Sequence, residues 1–455
     1  MSTSQESANT KDQLGQRAKV TPTCSAILDD GSIVEMVHRK SERLTRFVVH
    51  HDGQLREVQA VTTVPGVRLV PFSAANNLIT HDVVVFASEP QEYASTEALL
   101  ADVRAYIHRY CDVSEGFEEI SAHYVLFSWI YDAFNEVPYL RVRGDFGTGK
   151  SRFLLTVGSL CYKAIFASGA STVSPLFRIL DACRGTLIMD ECDFRFSDER
   201  AEIVKILNNG NARGFPVLRS ESTPQKEYDP RAFHVFGPKI VATRGLFTDR
   251  ALESRCITEE MERRSPRPDI PLNLPASFAE EALALRNQLL RFRFRNLVEP
   301  HTLDTSSLRG IEPRIAQIFA PLLATIEGEA AKHRVIALAR RYSEKLAAER
   351  SLSLEAELLA IIRTLHDDGL PLSIKVIADK FTEEHGAEYR RPVTPRWIGG
   401  LLRSRLSLVP VKSHGTFVIP TTETPKLKQL FDRYRVGDVG DVGDVEEDQK
   451  TERLA

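Results

Sequence analysis

The sequence predicts an α/β protein centred on a parallel sheet covered by helices on both faces. A strand-rich N-terminal region precedes it and a small helical module follows. Three observations carry that expectation. Between residues 138 and 261, short apolar runs alternate with helix-length segments, the pattern of strands joined by crossovers. Within it, Gly144-Asp145-Phe146-Gly147-Thr148-Gly149-Lys150-Ser151 fits G-x-x-x-x-G-K-[ST], between an apolar strand (Tyr139 to Arg143) and a helix (Phe153 to Tyr162). Further on, Thr186-Leu-Ile-Met-Asp190-Glu191 ends a second apolar strand in two adjacent carboxylates.

Taken in order, residues 1–20 are polar and are expected to be disordered. Residues 21–94 read as a β-rich domain, with Asp30-Gly31 and Asp52-Gly53 as hairpin turns and Val83 to Phe86 near its end. Two helices follow over 95–135. Ile120, Tyr124, Phe127, Tyr131 and Phe134 repeat at helical spacing and predict a core face. After Glu191 come a helix (Asp198 to Asn208) and two strands (215–221 and 227–236) around a turn at Thr223-Pro224-Gln225-Lys226. Lys239 to Thr243, then Arg244, reads as the next strand, lying beside the first two. Ala251 to Arg255 leads into another strand at Cys256. Ser277-Phe-Ala-Glu280 has the spacing of a capping box and opens a helix to about Phe294. Residues 301–350 read as a helical connector split near Gly328. Residues 351–422 form a separate module. Residues 423–455, with Gly-Asp-Val three times over 437–445, read as a low-complexity tail.

Composition narrows the class. The 455 residues carry a net charge of −3 and a hydrophobic content of 42%. No apolar run has the length of a membrane span, so no membrane association is expected. The six cysteines lack C-x-x-C spacing, which predicts a reducing, cytoplasmic setting without structural zinc. With so little net charge, nucleic-acid binding would have to come from local basic patches.

The chemistry expected of the motifs is specific. Glycines let consecutive backbone N–H groups face phosphate oxygens at a helix N-terminus. Gly144 to Ser151 would cradle the phosphates of ATP, with Lys150 on the outer ones and Ser151 on Mg²⁺. Asp190 would hold the metal and Glu191 would act as general base. Thr243 or Arg244, at the end of a neighbouring strand, could sense the terminal phosphate. Arg255 could enter a neighbouring subunit's site and stabilise charge on the transferred phosphoryl group; Arg250, Arg263 and Arg264 are alternatives. Arg286, Arg291 and Arg293 read as a solvated basic face, or as weaker second sensors.

This order of motifs resembles the AAA+ ATPases over roughly 115–300. It is most similar to minichromosome-maintenance-like and superfamily-3-like helicases, kinds that occur as replication proteins of phages and mobile elements. Ala251 to Cys256 is similar to the Leu-Ser-Arg finger segment of minichromosome-maintenance proteins. The family usually has Asn where this chain has Thr243-Arg244. The resemblance implies an AAA+ domain over 95–300, a ring, expected to be a hexamer, and a channel hairpin touching single-stranded DNA through Lys226 and Arg219. In the 351–422 module three helices and a hairpin resemble a winged helix, with Thr394 capping the third helix and Pro395 opening it. Arg390, Arg391, Arg396, Arg403, Arg405 and Lys412 make it basic and suit duplex DNA, while Trp397 reads as core. The expected function is an ATP-driven DNA helicase or translocase working with replication proteins. The alternative is a loader, an initiator, or a regulatory or defence switch whose winged helix binds DNA or a protein.

Overall fold

The computed structural model describes residues 20–63, 66–192, 198–222, 228–247, 249–262, 267–297, 306–351, 354–385, 393–413, 415–434 and 436. The chain divides into two compact units, Met1–Ala339 and Arg340–Ala455.

The first unit opens with β1 (Val20–Thr23), β2 (Ser25–Ile27), β3 (Ile33–Arg39), β4 (Leu44–His51), β5 (Gln54–Val58), β6 (Val61–Thr63) and β7 (Val67–Pro71). β2 to β5 form an antiparallel sheet in chain order; β1, β7 and β6 form a second, mixed sheet, with β1 parallel and β6 antiparallel to β7. The Asp52-Gly53 turn puts both residues at positive φ, as a tight two-residue hairpin requires. The short α1 (Asn77–Thr80) is followed by α2 (Thr96–Tyr110) and α3 (Glu115–Ile130), capped by Ser95 and Ser114 through their side chains. α3 is apolar on most sides and buried nearly all round, so it runs through the interior. Every residue of the Ile120–Phe134 stripe is buried.

The central sheet holds β8 (Tyr139–Arg143), β9 (Ile165–Ser168), β10 (Leu187–Asp190), β13 (Lys239–Thr243) and β14 (Cys256–Glu260), with α4 (Lys150–Gly158), α5 (Val173–Cys183), α6 (Asp198–Asn209) and α7 (Arg250–Glu253) between them. The hairpin of β11 (Val217–Ser222) and β12 (Tyr228–Phe233) precedes β13. All five strands are parallel, in the order β14-β8-β13-β10-β9. β13 therefore separates β8 from β10, and all three carboxyl ends face one edge. Their near-continuous apolar runs suit a sheet covered on both faces. α8 (Ser277–Asn296), α9 (Pro313–Leu323) and α10 (Glu329–Ser351) follow. The capping box at Ser277 does not form: Ala276 occupies the cap position with no side-chain bond. No helix among the described residues is long and apolar enough to cross a membrane.

The N-terminal strands are joined to the central sheet. Val84 bridges Ile165 in antiparallel fashion, Val85 N–H donates to Ala164 O at 3.0 Å, and Phe166 N–H donates to Val83 O at 2.9 Å. This covers the free edge of β9, which would otherwise present unpaired backbone groups. A buried charge network completes the join. Arg293, on α8, donates to Glu35 of β3 at 2.8 Å and to both oxygens of Asp132 at 2.8 and 2.6 Å. Tyr162 donates to Glu35 at 2.7 Å, and Lys163 Nζ lies 3.4 Å from it. Burial alone would push the Asp132 carboxyl up, but Arg293 outweighs it and holds the group below the usual carboxylate range. The solvated basic face expected on α8 is thus corrected. Arg286 and Arg293 are buried, and Arg291 pairs with Glu92 at 2.8 Å.

The second unit contains α11 (Leu354–Asp367), α12 (Ile374–His385), α13 (Pro395–Ser404), the hairpin of β15 (Val411–Ser413) and β16 (Thr416–Val418), and α14 (Thr424–Tyr434). Val418 also bridges Ser373, just before α12. Thr394 caps α13 by accepting from Trp397 N–H at 3.2 Å, and Pro395 is its first residue. One apolar core joins all four helices, including Leu427, Leu430 and Phe431 of α14. α14 falls in the stretch that the sequence reading gave to a low-complexity tail. Its Leu-x-x-Leu-Phe pattern is helical and pays for its ordering by burial. Trp397 is corrected as well: it is exposed at the edge of α13, with its ring 6.1 Å from Phe381.

Two stability predictions follow from buried charge. Glu35→Ala leaves Arg293 and Lys163 buried without their shared carboxylate, so denaturant unfolding should show a loss of about 3–5 kcal/mol. His123, buried in α3, is pulled down to about 4 by burial and by the nearby Arg334 and Arg104. The folded state therefore binds fewer protons than the unfolded state between pH 6.5 and 4. Stability should be full above 6.5 and fall as pH drops through that window, by about 3 kcal/mol in all. His123→Phe should flatten that slope in urea titrations at stepped pH.

Candidate nucleotide site

The site lies at the carboxyl edge of the central sheet, where open α/β sheets present loops to ligands. β8 ends at Arg143 and the chain turns through Gly144 to Gly149 into α4. Gly149 caps α4 at φ 93° with no side-chain bond, so the first N–H groups of the helix keep their donors for an anion. Gly144 must be glycine for a different reason: a Cβ there would lie 2.2 Å from the carbonyl oxygen of Met261.

Lys150 Nζ lies along the loop, donating to Gly144 O at 2.8 Å and Asp145 O at 2.5 Å. Ser151 Oγ donates to Asp190 Oδ2 at 2.5 Å, which brings the two expected Mg²⁺ ligands together across α4 and β10. Glu191, next in the chain, is exposed and adopts φ 55°, the left-handed region that costs a side-chain-bearing residue about 1–2 kcal/mol. Its N–H donates to Asp190 Oδ1 at 2.8 Å. Its carbonyl packs where a Cβ on Gly169 would lie 2.4 Å away. Strain of this kind persists only where the surroundings hold it, and it clusters at functional sites.

From β13, Thr243 reaches the same cleft. Its hydroxyl is buried with no hydrogen-bond partner, while its carbonyl accepts from Gly144 N–H at 3.1 Å. Arg244 is exposed and stacks over the Phe146 ring, 3.7 Å from its centroid. Phe146, Lys150, Ser151, Asp190, Glu191, Thr243 and Arg244 all line one cleft of 370 Å³. Gly147 to Gly149 and Arg152 are shared with a second cavity of 550 Å³, walled by Cys111, Asp112, Ser114, Glu259 and Met261. The donor set fits a triphosphate with a divalent ion: unsatisfied helix N–H groups, a lysine, a hydroxyl–carboxylate pair and an orphaned hydroxyl. Sequence reasoning missed the second cavity, because its walls come from the α2–α3 junction and the stretch after β14. It also missed the Phe146–Arg244 stack, a contact between loops far apart in the chain.

Other expected residues lie elsewhere. Arg255 precedes β14, whose first residue pairs with Tyr139 at the amino end of β8. At ~3.3 Å per residue, that is about 15 Å of strand from the Gly144–Gly149 turn, so Arg255 stands at the opposite edge from its own chain's cleft. Arg286 donates to Ser159 O at 2.7 Å, at the carboxyl end of α4, where a cation complements the helix dipole. Burial pulls it down to about 10. It caps α4 from behind and does not reach the cleft. Arg219 is bound to Glu202 of α6 by two hydrogen bonds of 3.0 and 2.9 Å and lies over Phe177. Lys226, Arg263, Arg264, Arg390 and Arg391 lie outside the described residues. In the second unit, Arg396 and Arg403 are exposed two turns apart on α13, and Lys412 is exposed on β15. Arg405 is tied to Glu355 at 3.1 Å.

No family model matches the chain, and no curated protein does. Among solved structures, it is similar to the apo C-terminal region of NrS-1, at 11% identity and TM-score 0.35, covering 85% of this chain and 96% of that one. It is also similar to JCV helicase, at 14% identity and TM-score 0.22, covering 57% and 62%. The Aeropyrum pernix ORC1 protein in complex with DNA aligns at 15% identity and TM-score 0.20, over 76% and 94%. At these TM-scores the functional reading rests on the site itself.

The strain at Glu191 generates a direct test. Glu191→Gly should raise the melting temperature, because glycine adopts positive φ freely, by an amount corresponding to at most about 1 kcal/mol. Gly144→Ala should act in the opposite sense. It should lower both the melting temperature and the affinity for a fluorescent ATP analogue, since the methyl group meets a backbone carbonyl.

Proposed function

We propose that this protein is an AAA+ ATPase that hydrolyses ATP with Mg²⁺ in the cleft between the phosphate loop and β10. The observation that carries the reading is the convergence of Lys150, the Ser151–Asp190 pair, strained Glu191 and the orphaned Thr243 hydroxyl on one cleft. Loop and helix N–H groups and Lys150 would hold the phosphates in line. Glu191 would take the proton of the attacking water, and Thr243 or Arg244 would contact the terminal phosphate. Mg²⁺, when bound beside Ser151 and Asp190, would neutralise charge building on the phosphate oxygens. Arg255 would serve the cleft of a neighbouring subunit, which its place at the opposite edge of the sheet favours.

On this reading the protein assembles as a ring, a hexamer by resemblance, and moves on DNA as a helicase or translocase for replication of a phage or mobile element. Lys226 would contact the single strand, and the second unit, as a winged helix, would contact duplex through Arg396, Arg403 and Lys412, with Arg390 and Arg391. A second reading, an ATP switch such as a loader, initiator or regulatory or defence protein, is favoured by the Arg219–Glu202 pair. That pair takes one expected DNA-contacting cation out of play.

Steady-state ATP hydrolysis, measured with and without single-stranded DNA, decides between them. Lys150→Ala should abolish turnover. Glu191→Gln should keep nucleotide binding and lower turnover by a factor of about 10² or more. Lys226→Ala should remove DNA stimulation and leave basal hydrolysis intact. Hydrolysis indifferent to DNA would replace the translocase with the switch. Turnover that survives Lys150→Ala would overturn both.

A further inference from the structure

Arg255 is held at both levels of structure. Its N–H donates to Leu252 O at 3.0 Å, and its carbonyl accepts from Tyr139 N–H at 3.0 Å, so its backbone is fixed to the central sheet. Its guanidinium is held by two side-chain amides. Nε donates to Asn211 Oδ1 at 2.7 Å, and Nη1 donates to Asn208 Oδ1. The orientation of Asn208 is set by chemistry. Its Nδ2 donates to Asp249 Oδ2 at 2.7 Å, and a carboxylate can only accept, so the amide oxygen must face Arg255. Asp249 in turn accepts from Ala251 and Leu252 N–H at 2.8 and 3.1 Å, anchoring the short helix that leads to Arg255. Asn211 is buried, and its carbonyl accepts from Val137 N–H at 2.8 Å, just before β8.

Among the described residues no carboxylate is hydrogen-bonded to Arg255; Asp249, on the far side of Asn208, acts on it only through space. This contrasts with other arginines of the first unit. Arg141, Arg219 and Arg293 each bind a carboxylate through two nitrogens or two oxygens. A directly bonded carboxylate would hold Arg255 against its own chain as an ion pair; a neutral amide fixes its direction without one, which keeps the guanidinium open to an incoming anion.

We propose that Asn208 and Asn211 are positioning residues for Arg255, neutral acceptors that aim its guanidinium at a neighbouring subunit's nucleotide without neutralising it. The assignment rests on Arg255 acting in trans, as proposed above. It adds a link to the hairpin, since Asn208 lies in the last turn of α6 and Asn211 lies between α6 and β11.

The test is ATP turnover of the full-length chain, alone and in mixtures, with melting temperature measured in parallel. Asn211→Asp should lower kcat about tenfold or more, keep KM for ATP within about twofold, and leave the melting temperature equal or higher. Stability and turnover then move in opposite directions, which a purely structural asparagine would not produce. Asn208→Ala should lower kcat with KM unchanged, and it decides the matter if Asn211→Asp does not accumulate folded. Mixing Asn211→Asp with Lys150→Ala should restore activity, because the second chain offers an intact Arg255 to the first chain's intact cleft. The Arg255→Ala plus Lys150→Ala mixture is the reference. If that mixture stays inactive at all ratios, the trans reading falls and the positioning role falls with it. If it recovers while Asn211→Asp alone keeps wild-type kcat, or its mixture does not recover, the positioning role alone is overturned.

Discussion

One buried guanidinium governs the first unit. Arg293 reaches Glu35 in the N-terminal sheet and Asp132 after α3, and it stacks over Tyr162 beyond α4. A charge so placed is tolerable only when its partners arrive together, because each member alone would be an uncompensated ion in a poor dielectric. The N-terminal strands, α3, α8 and the end of α4 are therefore fixed relative to one another. α4 is thereby held from behind by the same packing that lets Arg286 cap its carboxyl end. Its amino end can stay open because its other end is anchored.

The site is assembled from strand ends. A parallel sheet brings the carboxyl ends of β8, β13 and β10 to one edge, and the order β8-β13-β10 puts Thr243 between the Gly144–Gly149 turn and Asp190. No local segment contains that arrangement; it exists only once the sheet has formed. The strain at Glu191 fits the same account. Glu191 is held at positive φ with its carbonyl against Gly169, and its carboxylate stays exposed in the cleft.

Much of this was legible in the sequence. The Gly144–Ser151 turn between strand and helix could be read because its spacing encodes a local shape, and the Asp190-Glu191 strand end, a weak signal alone, because it follows that turn at the distance of a helix, a strand and a helix. The hairpin turns were legible for the same local reason. Long-range pairing was not. Arg293 and Arg286 read as a solvated face because arginines gathered on one helix usually make one. Nothing nearby signals that Glu35, far upstream, neutralises one of them. Arg219 looked available because its partner Glu202 lies on a preceding helix. Ser277 looked like a cap because the pattern was right, yet the helix begins one residue off. α14 was hidden by its neighbourhood, since a short amphipathic helix beside a glycine-aspartate repeat reads as more of the repeat.

The pairing of Val83 to Val85 with the border of β9 bears on how the chain is made. During synthesis the covering segment leaves the ribosome well before the strand it covers. When β9 emerges, its guard is already present, and the exposed edge never has to wait for a partner from another molecule. A circular permutant that moved the first ninety or so residues to the end would reverse that order. Its finished fold could be the same, but each nascent chain would pass through an interval with a bare parallel edge, open to pairing with its neighbours on the same polysome.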